Sequence, residues 1–119
     1  MAITITPLGL ETLRAVTDAD ADSTAENIGA TTIYTVDYDN SAVGAASFLK
    51  FYNTANPTVG TTAPHMILHS AASVRRLWHF IGGNKSFDLG MAMAGVTAAG
   101  TAGTTNPTSD VAVDLVVEG

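Results

Sequence analysis

Four groups of residues in this chain have the types and spacing that chemistry uses. Asp18, Asp20 and Asp22 alternate like the opening ligands of a calcium loop. An EF-hand needs Gly at its sixth position and a bidentate Glu at its twelfth, where this chain has Ser23 and Gly29, so the stretch reads as a solvated acidic loop. His65 and His69 would share a metal on a helix; on a strand they lie about 13 Å apart, too far for one ion. Asp37 and Asp39 share a strand face about 7 Å apart, a separation also used by paired carboxylates in glycoside hydrolases. No nucleophile elbow, phosphate loop or triad signature accompanies them, and they read as residues that keep a sheet face soluble. The fourth group, Arg75-Arg76-Leu77-Trp78-His79, is the most distinctive, because Arg and Trp are enriched at binding hot spots. It fits an exposed anchor and equally a core Trp78 flanked by arginines. The candidate interface residues are therefore Arg75, Arg76, Trp78 and His79, with Asp18, Asp20 and Asp22; no catalytic residue, cofactor or metal site is expected, and no enzyme.

These residues must be positioned by strands. Ala2–Thr6 alternates and is stopped by Pro7 and Gly9, whereas Leu10–Val16 fits a helical turn or a strand. Thr31–Asp39 places Tyr34, Val36 and Tyr38 on one face and Thr35, Asp37 and Asp39 on the other. Ala46–Tyr52 carries aromatic area on both faces and predicts a strand covered on two sides. His65–Ser70, Ser73–Phe80, Phe87–Val96 and Val111–Val117 follow, with Val74, Trp78 and Phe80 on one parity and Arg75, Leu77 and His79 on the other. The predicted core is Tyr34, Val36, Leu49, Phe51, Leu68, Leu89, Met91, Val113 and Leu115. Between strands, Gly60-Thr61-Thr62-Ala63-Pro64 and Gly103-Thr104-Thr105-Asn106-Pro107 repeat one turn, each shortly before an apolar run. About seven strands at this spacing predict an all-β fold, an antiparallel β-sandwich of immunoglobulin-like or jelly-roll type.

Composition restricts the class further. The 119 residues form one domain, 1–119, with 1–29 as an acidic N-terminal segment able to act as an arm. Cysteine is absent, which removes disulfides and thiolate chemistry. No apolar run approaches the roughly 20 residues of a membrane helix, and no secretory signal is visible, so neither membrane nor export is expected. Charged residues are only 13%, about half the usual share, which fits a surface hidden against neighbours. The net charge of −6 sits wholly in residues 1–40, which argues against nucleic acid and fits docking on a basic protein surface.

The order Ala30-Thr31-Thr32-Ile33-Tyr34, Asp39-Asn40, Phe48-Leu49-Lys50-Phe51-Tyr52-Asn53, Asn56–Pro64 and Phe87-Asp88-Leu89-Gly90-Met91, closed by a threonine-rich loop and a valine strand, resembles small virion proteins of tailed bacteriophages, cyanophage-like ones among them. Ser73–Phe80 departs from that pattern, with Arg75-Arg76 and Trp78-His79 where small and apolar residues are usual. The resemblance implies a structural virion protein made in the host cytoplasm and seated on the capsid surface. It would be a cement or decoration protein that binds between major capsid subunits as a homo-oligomer, a trimer first and a dimer second. The alternative is a tail-associated or host-surface, carbohydrate-binding β-sandwich module.

Overall fold

A computed structural model describes residues 11–16, 19–21, 29–83 and 85–118. The expected Ala2–Thr6 strand, Asp18, Asp22 and most of the acidic 1–29 segment lie outside the described residues. The described chain is all-β: β1 (Glu11–Val16), β2 (Gly29–Asp39), β3 (Ser47–Tyr52), β4 (Met66–Ser70), β5 (Arg75–His79), β6 (Lys85–Val96) and β7 (Ala112–Glu118), with one 3₁₀ turn at Ile81–Gly83. Every strand pairing is antiparallel, in the order β1-β7-β2-β6-β3-β4, with β5 also on β2. The Glu11–Val16 stretch, which fitted a helical turn or a strand, is a strand paired with β7.

The sheet curls into a half-barrel, and β6 makes the bend. Its first part pairs with β2, from Ile33↔Lys85 to Gly29↔Met91, and its second part pairs with β3, from Tyr52↔Ala92 to Phe48↔Val96. Gly90 stands at the changeover with φ +128°, a conformation that L side chains rarely adopt, and its bare Cα lies against the backbone of Ala55. Ile33, Val36 and Tyr38 of β2, Leu49 and Phe51 of β3, Leu68 of β4, Phe87, Met91 and Met93 of β6, and Val113, Leu115 and Val117 of β7 turn towards one shared core.

Two residues of the expected core are displaced, each by a break in alternation. A register shift between Ile33 and Thr35 puts Ile33 inside and leaves Tyr34 half-buried, where its hydroxyl donates to Glu118 Oε2 at 2.7 Å. The bend at Gly90 leaves Leu89 72% exposed although Phe87 and Met91 on either side are buried. The other seven expected core residues are buried.

One buried polar network holds the corner that carries β5. The Tyr38 hydroxyl bonds to Ser47 Oγ, which donates to Asn40 Oδ1 at 2.6 Å. Asn40 Nδ2 donates to the carbonyls of Ala45 (3.1 Å) and Ala71 (2.9 Å), tying the β2–β3 loop to the β4–β5 turn. Burial pushes the Tyr38 phenol up, so it stays a neutral donor in this network.

Candidate binding surface

The Arg75–His79 cluster forms β5 in full. Arg75, Arg76, Leu77 and His79 are exposed and only Trp78 is half-buried. Leu77 to Phe80 follow the predicted parity, whereas Val74, expected on the side of Trp78, is exposed where the turn enters the strand. Trp78 tilts against Tyr38 with ring centroids 6.1 Å apart, so its inner edge touches the core. The Arg76 guanidinium covers the indole at 5.0 Å and donates to the His69 carbonyl of β4 at 3.3 Å. Trp78 is thus a core neighbour on one edge and part of the surface on the other. Around β5 cluster three of the large exposed apolar side chains, Val74, Leu77 (68%) and Ile81 (82%).

On the outer face, Arg75 clamps Asp37 through Nε to Oδ1 (2.9 Å) and Nη2 to Oδ2 (2.5 Å). Its hydrogen bonds hold the Asp37 carboxyl below the usual range. Asp39 is lowered as well, by the Ser41 hydroxyl (2.5 Å) and Ser41 N–H (3.0 Å). Both carboxylates are held ionised, the opposite of the shift a general acid needs. His79 Nδ1 pairs with Thr35 Oγ1 at 3.0 Å. His65 meets Phe87 edge to face and His69 tilts against Phe48, so each ring belongs to a different aromatic contact. Among the described residues no three His, Asp or Glu side chains are grouped to hold a metal. Asp20 lies apart from β5: its carbonyl accepts from Gly95 N–H at 3.2 Å, on the second half of β6. The structure therefore joins the basic and aromatic candidates on one strand and does not bring Asp20 to them.

The opposite side of the molecule holds what residue types did not reveal. The two repeated threonine turns meet over the outer face of β3 and β6: a Cβ on Gly60 would stand 2.5 Å from Thr104 Cγ2. Beneath them Lys50, Tyr52, Ala92 and Ala94 are fully buried, which makes β3 covered on two sides as predicted. The Lys50 ammonium donates to the carbonyls of Gly100 (2.6 Å) and Gly103 (3.0 Å), and burial pulls its pKa down. No carboxylate is among its hydrogen-bond acceptors. Among the described residues, the Tyr52 hydroxyl is the buried side-chain polar atom with no hydrogen-bond partner. The recurrence of Gly-Thr-Thr was the available signal for the loop contact; nothing in the sequence marked Lys50 as its pin.

A shallow cleft between the start of β2, the start of β6 and the end of β7 is lined by Thr31, Thr32, Ser86, Phe87, Asp88 and Glu118. Both of its carboxylates are engaged, Asp88 by Asn53 Nδ2 at 2.9 Å and Glu118 by Tyr34. The chemistry that β5 and the joined loops offer is contact: apolar area, arginine over indole and small-residue backbone. Comparison of the chain with protein-family models, with curated protein sequences and with solved structures returned no match.

Proposed function

We propose that this is a structural virion protein of a tailed bacteriophage, a cement or decoration protein that sits between major capsid subunits as a homo-oligomer. The observation that carries this reading is the outer surface of β3 and β6. There two copies of one Gly-Thr-Thr turn pack together into a low-charge cover of Gly, Ala and Thr. Such a surface allows close backbone approach over a wide area with little charge to desolvate. The sheet also leaves edge strands that can extend onto a neighbour. We further read the curled sheet as an open sandwich of jelly-roll or immunoglobulin-like type, since its two halves turn apolar faces to one core.

The binding mechanism is surface burial without turnover, and no cofactor takes part. The acidic first third would face basic patches of the capsid, so attachment weakens as salt rises. A carbohydrate-binding module would need exposed aromatic platforms. Tyr38 and Tyr52 are buried and Trp78 lies beneath Arg76, which favours the cement reading over the host-surface one. The test is to strip particles with high salt and add the purified protein back. Stripped particles are expected to lose resistance to heat and to regain it on rebinding. Particles that lack the protein and survive heat equally well would overturn the cement role.

A further inference from the structure

We propose that β5 is a self-pairing edge, through which two copies of the chain join antiparallel across a two-fold axis at Leu77. Among the described residues the backbone of β5 pairs with β2 alone, which leaves its other edge without a strand partner. The phase of that edge follows from two bonds at its ends. Asn40 N–H donates to the Val74 carbonyl (3.0 Å), and Phe80 N–H donates to the Tyr34 carbonyl (2.8 Å). Successive residues of a strand direct their backbone groups to alternate sides. Residues 74, 76, 78 and 80 therefore bond towards β2, and the N–H and C=O groups of Arg75, Leu77 and His79 point to the free edge.

An antiparallel pair centred on Leu77 uses every one of those outward groups. Leu77 faces the partner's Leu77, and Arg75 faces the partner's His79, as hydrogen-bonded pairs. Arg76 faces the partner's Trp78 as a non-hydrogen-bonded pair, the closer kind, with Cα atoms about 4.5 Å apart. The short sequence is self-complementary in this register, because arginine meets indole instead of arginine. Arg76 already covers its own Trp78 at 5.0 Å, so the pairing extends an existing cation–π contact across the axis. Arg75 is neutralised by its two bonds to Asp37, which lowers the cost of bringing two copies together.

Exposure points to the same edge. Leu77 is 68% exposed and would be covered by its own copy, and Val74 and Ile81 flank it. The strand carries neither a proline nor a bulge, two of the devices that protect open edges. The β4 edge is less available, because its His69 carbonyl already accepts from Arg76. The pairing closes on itself, so it builds a dimer and does not run on into fibres. That is the second of the two assemblies expected from the sequence. The inference does not depend on the virion reading, since it concerns the isolated protein.

Sedimentation of the purified full chain tests it, with a concentration-dependent dimer as the expected result. Leu77→Pro removes an N–H that points away from β2 and fixes φ at that residue, and Leu77→Lys sets a charge against its own copy. Both variants are expected to sediment as monomers, and Leu77→Lys to keep the parent melting temperature. The chain has no cysteine, so single substitutions report the register cleanly. Leu77→Cys should oxidise to a disulfide dimer by itself. Arg75→Cys and His79→Cys should cross-link when mixed, at least about tenfold more than either alone, because only facing Cα atoms fall within disulfide range. A wild-type monomer at every concentration, or a dimer that survives Leu77→Lys, would overturn the proposal. Equal cross-linking in the mixed and single samples would overturn the register.

Discussion

Lys50 and Arg75 are both cations on the outward face of a strand, and the molecule treats them in opposite ways. Arg75 stays in solvent and is paired with a carboxylate on the neighbouring strand. Lys50 is fully buried, with two loop carbonyls as its acceptors. The difference lies in what arrives from elsewhere. The outer face of β3 and β6 is roofed by the two threonine loops, whereas among the described residues none gives β5 such a cover. Residue type at a strand position therefore says little about burial on the outward face. A covered face takes part in internal order, and an uncovered face stays in solvent.

The largest effect should come from the core that both regions share. Phe51→Ala is expected to cost about 2–5 kcal/mol in denaturant unfolding, because Phe51 is fully buried and packs on Phe87. Leu77→Ala, the same kind of truncation on β5, should change monomer stability by less than about 0.5 kcal/mol. A Leu77 loss comparable to that of Phe51 would erase the contrast between the two regions.

Separating the loops from each other should be the next largest perturbation. Gly60 has φ +94°, and its Cβ would collide with Thr104 Cγ2. Gly60→Ala is expected to destabilise by about 1–3 kcal/mol. Amide hydrogen exchange should rise in 97–105 and around Lys50 while β5 is unchanged. Exchange that rises equally in β5 would mean that the two surfaces are coupled.

Lys50 sharpens the comparison through pH. Burial lowers its pKa in the folded state from the ordinary 10.5. The unfolded chain therefore binds more protons in the window between the lowered value and about 10.5, and stability from this group rises with pH there. The melting temperature should climb across that window in the wild type relative to Lys50→Met, which has no such group. Parallel curves for the two proteins would show that Lys50 is not held as a buried cation.

The smallest effect belongs to the exposed pair. Asp37 is lowered by Arg75, so its contribution is present above the unfolded value near 3.8 and fades as pH falls through the folded one. Both partners are in contact with solvent, and Arg75→Ala should cost less than about 1 kcal/mol at neutral pH, with the loss shrinking in high salt. A larger loss that salt leaves untouched would place Arg75 in the architecture of the sheet.

Much of this was legible along the chain. The parity of β5 was readable because Trp78 and Phe80 alternate with Leu77 and His79, and the structure keeps that alternation from Leu77 onward while Val74, at the turn, is exposed. Doubly covered β3 was readable from aromatic area on both faces of Phe48–Tyr52. Tyr34 was misplaced because a one-residue register shift reverses alternation after Ile33, and Leu89 because the bend at Gly90 turns it outward between Phe87 and Met91, which both stay buried. The acidic candidates could not be joined to β5 from their types, since Asp20 is positioned by β6.

The amino-acid order by itself determined the all-β character, the strand positions and the two related turns. Those depend on neighbours a few residues apart: period-two alternation, and Gly and Pro where the chain must turn. The tertiary structure alone decided which strand stays an open edge and which outward face is roofed. Lys50 meets its acceptors fifty residues away at Gly100 and fifty-three away at Gly103, and no local pattern carries that information. Burial on the outward face is a property of which loops cross it, and crossing is set by how the whole sheet curls.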